Sequence, residues 1–300
     1  METTSITSLN NNSFVLVADI GGSHITSAIC DLCSSTLVHS SVKRAEFSSK
    51  GAAEQVLNVW IDCLRQSMKS VEFDISGVGF AIPGPFDYEN GISYITGLNK
   101  FEALYGMDIR KKLSDALQID PDLLRFRNDA EAAIEGEWLF GAGRNYRKVM
   151  GITLGTGFGS ALAENGVARD LDLANKKYKD SIADDHLSTR WFLKRYARQS
   201  GLSVVGVKEL TELAGSREMA KMMFKEFGAN MARFLQEPLA EYKPEALLIC
   251  GNIAKSSRLF LNELKKTIAI PIHTSELWES AALFGASRLF IVQDMQTLAG

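Results

Sequence analysis

A strand, a glycine turn and a second strand occur twice in this chain, and that repetition limits what it can fold into. The apolar run at 14–19 (FVLVAD) leads into Gly21-Gly22, and 25–30 follows as the return strand. The same unit comes back as 149–154 (VMGITL), Gly155-Thr156-Gly157 and 160–163. Short apolar runs bounded by glycine read as paired strands joined at a tight bend. Two copies are too few for a stacked repeat protein, which needs about three to bury a common core. They predict two halves of similar architecture with a cleft between them. The 300 residues, 46% of them hydrophobic, are enough to give each half its own core.

Helical spacing of apolar residues fills much of the rest. It predicts helices at 52–69, 108–117, 188–199, 216–242, 256–266 and 276–293. A short strand at 78–82 ends in Pro83-Gly84-Pro85, and another at 246–250 runs straight into Gly251. Asn128-Asp129-Ala130-Glu131 opens a helix that continues to about Phe140 and closes at Gly141.

Composition removes several classes. A net charge of −3 with 23% charged residues offers no basic field for nucleic acid and no polybasic patch for a membrane. The four cysteines (Cys30, Cys33, Cys63 and Cys250) are too few for a disulfide framework, which points to a reducing cytoplasm. Cys30-x-x-Cys33 has no second pair and no neighbouring histidine, so no four-ligand zinc site is expected. His24, His39, His186 and His273 are isolated and read as structural. The first dozen residues are polar, lack a signal-peptide pattern and read as a tail too short for a helix-turn-helix. No apolar run reaches the roughly 18 residues of a membrane span.

The remaining features carry chemistry. A turn without Cβ atoms lets backbone N–H groups approach an anion. Gly21, Gly22 and Ser23 form one such turn, and Gly155, Thr156 and Gly157 the other. Asp19, just before the first, is placed to reach a hydrated Mg²⁺. Each is equally readable as an ordinary hairpin bend. Neither is a GxxxxGK[ST] loop, and no GxGxxG opens a helix after a strand. Asn128 is a good N-cap, Glu131 is spaced to close a capping box, and Asp129 complements the helix dipole. The same placement suits a carboxylate that takes the proton of a hydroxyl attacking a γ-phosphate. The two readings are compatible.

Taken together, these motifs resemble the ROK family (repressors, open reading frames and sugar kinases). DIGGSH at 19–24 looks like its first phosphate motif, and FAIPGPFD at 80–87 like its sugar-side GIPGP loop. LNKF at 98–101 resembles its Asn-Leu-x-x-Trp segment, without the Trp. NDAEAAIEGEWLFGAG at 128–143 and LGTGFGSALAENG at 154–166 are the most specific matches. CGN at 250–252 stands at the family's adenosine loop, and AALFGAS at 281–287 resembles its last helix.

The resemblance implies an α/β, two-domain actin-like ATPase fold of the ribonuclease H-like type. The domains would be 14–127 and 128–285, with a C-terminal helix at about 286–300 returning to the first. It implies ATP and Mg²⁺ as cofactors, Gly251 and Asn252 at the nucleotide, and Gly84, Asn99, Asn128 and Asp129 at the sugar. Asp129 would be the base, with glucose O6 the expected acceptor. Another hexose, an N-acetylhexosamine, or a non-catalytic sugar sensor is the alternative, as is a chaperone-like actin-fold ATPase. Some relatives use polyphosphate as donor, and a homodimer is implied.

One stretch departs from the family pattern. The family's Glu-x-Gly-His and its CxCGxxGCxE zinc module are missing, and the segment between Gly166 and Ser188 is short. Asp172-Leu173-Ala174-Asn175 is expected to stand where Glu-x-Gly-His belongs. Asp172 then replaces the Glu, and Asn175 the zinc-ligating His. Asp184, four residues before Ser188, holds the spacing of the family's last sugar-side Glu. The other reading of 167–180 is a polar surface loop.

Overall fold

The computed structural model describes residues 13–97 and 100–291. The expected N-terminal tail, Asn99 and the end of the expected C-terminal helix lie outside these residues. The chain forms two compact units. One runs to Arg127 and resumes at Ala286, and the other is Asn128–Gly285.

The first unit opens with β1 (Phe14–Ile20), β2 (His24–Asp31), β3 (Thr36–Leu37) and β4 (Lys43–Glu46). Helix α1 (Ala53–Met68) follows, then β5 (Val78–Ile82), β6 (Phe86–Asp87) and β7 (Ile92–Ser93). Helix α2 (Ile109–Leu117) and β8 (Leu124–Asn128) complete it. The sheet order is β3-β2-β1-β5-β8, with β4 also on β2. β1 and β2 form the glycine hairpin, with Ile20 opposite Ile25, and β5 runs parallel to β1. Val56, Leu57, Trp60, Cys63 and Leu64 recur on one face of α1 and pack with Leu16, Ile25 and Ile29 of the sheet. α2 starts where the sequence places it, because Asp108 accepts the N–H of Lys111 as its N-cap.

The second unit begins with α3 (Asp129–Phe140), β9 (Val149–Leu154), β10 (Phe158–Glu164) and β11 (Val167–Asp170). A small hairpin, β12 (Lys177–Tyr178) and β13 (Ser181–Ile182), comes next. Helices α4 (Ala183–His186), α5 (Thr189–Ser200), α6 (Val207–Leu213) and α7 (Glu218–Tyr242) precede β14 (Ala246–Cys250). The chain then passes through α8 (Leu261–Lys265), β15 (Ile272–Thr274) and α9 (Ser280–Ser287). The sheet order is β11-β10-β9-β14-β15. β9 and β10 are the second glycine hairpin, and β14 lies parallel to both β9 and β15. Each unit therefore pairs an antiparallel glycine hairpin with a parallel third strand.

Residues of β9 alternate between two cores, as the pleat requires. Met150, Ile152 and Leu154 join Phe192, Phe224 and Phe227 of α5 and α7. Val149 joins Ile134 and Trp138 of α3. Gly151 faces α3 so closely that a Cβ there would stand 2.1 Å from Ile134 Cδ1.

Three expected helices begin or continue differently. The one expected at 216–242 starts at Glu218, and the separate helix α6 precedes it. The one at 256–266 is a 3-10 helix, Asn252–Leu259, followed by α8. The one at 276–293 starts only at Ser280. The cause is the buried Glu137 carboxylate, which accepts the N–H groups of Glu276 (3.1 Å) and Leu277 (2.8 Å) and so holds that segment out of the helix.

α3 and α9 cross backbone to backbone. Small residues four apart on each helix, Ala132 with Gly136 and Ala281 with Gly285, make this possible. A Cβ at Gly136 would lie 2.0 Å from Ala281 O, and one at Gly285 would lie 1.9 Å from Ala132 O. Neither obstacle is a side chain that can rotate away. Gly285→Ala is therefore expected to destabilise the protein by about 1–3 kcal/mol, the usual cost of overpacking. Urea unfolding measures this, and an unchanged midpoint would refute the crossing.

Candidate active site

The site in the second unit is built around the start of α3. Asn128 caps the helix, its Oδ1 accepting the N–H of Ala130 at 2.8 Å and of Glu131 at 3.1 Å. Asp129 is half-buried, and its Oδ1 also accepts the Ala130 N–H, at 2.9 Å. Glu131, spaced to close a capping box, has its Oε1 on the N–H of Asp170 at 2.8 Å, which ties β11 to the same helix turn.

The second glycine hairpin lies directly on this turn. A Cβ at Gly159 would be 2.7 Å from Ala130 Cβ and 2.4 Å from Thr153 Oγ1. At the bend, the Gly155 N–H donates to Gly157 O at 3.0 Å. A Cβ at Gly155 would meet nothing within 4 Å, so no neighbour in the fold demands glycine there. Backbone without Cβ atoms at Gly155 and Gly157 can be approached closely by an anion from outside.

The bend is fastened from behind. Thr189, the first residue of α5, donates to Gly155 O through its N–H (2.9 Å) and its hydroxyl (2.8 Å). Asp184 Oδ1 accepts the Phe158 N–H at 2.7 Å, and its Oδ2 lies 3.2 Å from Arg190 Nη1. Its neighbour Asp185 accepts the Ser181 hydroxyl and the same Nη1 of Arg190, which hold its carboxyl below the usual carboxylate range. Asp184, expected at the sugar from its spacing, has its carboxylate on the Phe158 N–H and on Arg190.

Asp172 and Asn175 meet each other. Asn175 Nδ2 donates to Asp172 Oδ1 at 2.6 Å, and Asp172 sits at φ +48. Both are exposed, while Leu173 between them is buried and donates its N–H to Ser160 Oγ at 3.1 Å. With Glu131 on Asp170, this polar turn is anchored to the start of α3.

Gly251 carries a positive φ of +85, and a Cβ on it would be 2.5 Å from Leu154 O. Only glycine lets the β14 loop come down on the end of β9, where the Gly155 turn begins. Asn252 is exposed and opens the 3-10 helix that follows.

In the first unit, Asp19 is half-buried near the end of β1, opposite Thr26. The Gly21 N–H donates to His24 O at 2.9 Å and closes the bend. Gly22 is half-buried and Ser23 exposed. Gly84 is half-buried, with the Tyr88 hydroxyl 3.1 Å from the place of a Cβ. Pro85 O accepts the Tyr94 N–H at 3.0 Å, so the β6–β7 hairpin steadies this loop. Phe101, the last residue of LNKF, is buried against Trp60 at 5.6 Å and Phe47 at 5.9 Å.

Among the described residues no three His, Cys, Asp or Glu are grouped to hold a metal, and no helix is long and apolar enough to cross a membrane. The residues that sequence reasoning missed are the braces Thr189, Arg190 and Glu137. No local pattern marks them, because their partners lie far along the chain.

A glycine hairpin with a parallel third strand, present once in each unit, is the plan of the actin/hexokinase ATPases, an α/β fold. The chain belongs to the ROK family, whose model matches residues 15–170. A ROK family glucokinase from Streptomyces griseus, solved with glucose and AMPPNP, superposes with a TM-score of 0.76 at 20% identity. It covers 92% of this chain and 98% of that one. By sequence, the chain is 20% identical to the xylose repressor of Bacillus subtilis (strain 168), over 90% of its own length and 72% of the repressor's. It is 23% identical to an N-acetyl-D-glucosamine kinase of Pectobacterium carotovorum, over 69% of this chain and 74% of that one.

The braces behind the bend give a test. Asp184→Ala leaves the Phe158 N–H without its acceptor and Arg190 with Asp185 alone, and should cost about 1–3 kcal/mol of stability. Asp184→Asn keeps an acceptor for the N–H and should cost less. Denaturant unfolding of the two variants measures the order, and equal stability would contradict it.

Proposed function

We propose that the protein is an ATP-dependent sugar kinase, transferring a phosphoryl group to a hydroxyl of a hexose or N-acetylhexosamine, with Asp129 as the general base. The observation that carries this reading is the position of Asp129. It stands on the first turn of α3 beside Ala130, against which the β10 arm of the Gly155 hairpin packs at Gly159. A proton acceptor and an anion-binding backbone in one neighbourhood are what phosphoryl transfer needs.

In this mechanism Asn128 and the backbone at Gly84 orient the sugar, with Asn99 at the family's sugar position. Asp129 takes the proton of the attacking hydroxyl. Gly155, Thr156 and Gly157 are the second unit's proposed phosphate-binding backbone, and Gly21, Gly22 and Ser23 the first unit's. Gly251 and Asn252 face the nucleoside. Asp19 is the residue that would hold hydrated Mg²⁺. That ion, when bound, neutralises charge on the phosphate oxygens. Because the transition state is loose, positioning and charge neutralisation account for most of the rate. Asp172 and Asn175 are proposed as sugar-side groups that reach the ligand as a bonded pair.

The acceptor is left at the level of hexose and N-acetylhexosamine because the relatives divide there. A glucokinase and an N-acetyl-D-glucosamine kinase share the frame. The xylose repressor supports a second reading, a non-catalytic sugar sensor, since that similarity runs over 90% of this chain.

A coupled ADP-release assay over glucose, mannose, fructose, N-acetylglucosamine and N-acetylmannosamine tests the proposal. Turnover with at least one sugar is expected. Asp129→Asn should lower kcat by a factor on the order of 10²–10⁴, the share of a general base, while nucleotide still binds. An Asp129→Asn protein of undiminished kcat would refute the base. Sugar binding without turnover on any acceptor would establish the sensor reading.

A further inference from the structure

β9, β14 and β15 are neighbouring parallel strands, so their C-terminal ends share one edge of the sheet. β9 ends in the Gly155 bend, β14 in Gly251, and β15 in the segment from Ser275 to Glu279. With about 4.8 Å between strands, the edge extends about 10 Å from the Gly155 bend to that last segment. Gly251 draws the middle loop down onto Leu154.

At the far end of the edge stands Trp278. It is 40% exposed, whereas the other three tryptophans, Trp60, Trp138 and Trp191, are buried. Its φ is +52, a region that bulky side chains avoid. The strain is held by a built support. Glu137, fully buried on α3, accepts the Ser275 hydroxyl and the N–H groups of Glu276 and Leu277. Ser275 Oγ in turn accepts the Trp278 N–H at 2.8 Å. From the 3-10 helix after Gly251, Lys255 brings its ammonium 5.9 Å from the indole centre and 3.7 Å from Glu279. Trp278 thus presents a half-exposed indole on a fixed support, with a cation at its ring. Strain of this kind collects at ligand sites.

We propose that Trp278, flanked by Lys255, is the platform on which the base of the phosphoryl donor stacks. The protein would thereby select a nucleoside triphosphate over inorganic polyphosphate. The proposal rests on the kinase reading above and adds donor specificity to it. Phosphates at the Gly155 bend and a base at Trp278 place an extended nucleotide along the strand edge. The flat ring gains stacking on the indole, whereas a polyphosphate chain has no ring to stack and gains nothing there.

The test compares binding of Mg-ADP and of Mg-tripolyphosphate by calorimetry, on the full chain. Trp278→Ala should weaken ADP about ten-fold, within the range for stacking one base on an aromatic ring. Tripolyphosphate affinity should stay as in the wild type, and Trp278→Phe should recover most of the ADP affinity. Lys255→Ala, which leaves the Ser275–Trp278 support in place, should weaken ADP by a smaller factor. ADP should also change the tryptophan fluorescence of the wild type and not that of Trp278→Phe. Unchanged ADP affinity in Trp278→Ala would overturn the platform, as would parallel loss of both ligands. Failure of the kinase reading shows separately, as a sugar panel without turnover. A wild type that binds no nucleotide removes both.

Discussion

Everything that the second unit presents at its candidate site depends on how closely α3 approaches its neighbours. Glycines on three sides allow this. Gly151 admits Ile134, Gly159 admits Ala130, and Gly136 and Gly285 let α3 and α9 touch through their backbones. Interiors packed at this density transmit small displacements rather than absorb them. Asp129 sits one turn from these contacts, so its position relative to the Gly155 bend is fixed by sterics on its own helix and not by a loop. On the proposed reading, in which Asp129 is a general base, this rigid mount is what would keep it within hydrogen-bond reach of its proton.

The same helix fixes the loops around it through carboxylates. Glu131 takes the N–H of Asp170, Glu135 that of Ala168, and Glu137 those of Ala142, Glu276 and Leu277. Glu137 is fully buried, and burying a charge is costly unless its oxygens are satisfied. Here backbone N–H groups and the Ser275 hydroxyl satisfy it, and those N–H groups are organised in exchange. One helix therefore determines where β11, the Asp172 turn and the Trp278 segment lie.

This explains which features were legible in the sequence. The hairpins showed through because glycine between apolar runs is a local signal, and the Asn128 cap because capping acts over three residues. β8 carried a signal as well. Leu124 and Phe126 alternate with Arg125 and Arg127, the period of a half-buried strand. Asp184 illustrates the limit. Its spacing to Ser188 says nothing of the Phe158 N–H that it accepts, 26 residues away in the chain. Trp278 was read as part of a helix, because the residue that keeps it out of one is Glu137, 141 positions earlier. Such placements are decided in three dimensions, and no window of sequence contains both partners.

Between Gly166 and Ser188 the chain departs most from the family motifs, and side chains hold that stretch in place. Tyr178 donates its hydroxyl to Asn230 O at 2.9 Å, Lys179 donates to Asn230 Oδ1 at 2.7 Å, and the Tyr178 ring lies 5.2 Å from Phe234. The β12–β13 hairpin is thus docked on α7 by contacts specific to this sequence. The glycine bends are different, because they present backbone, whose placement needs only glycine and a rigid support. Backbone chemistry tolerates wide change in side chains, which is why the frame is shared with relatives at 20–23% identity. Sugar recognition by side chains on short loops has no such tolerance. A repressor, an N-acetyl-D-glucosamine kinase and a glucokinase can therefore stand equally near this chain. On the proposed kinase reading, the choice of sugar is assigned to the Gly84 loop and the 170–175 turn, and the chemistry to α3 and the glycine bends.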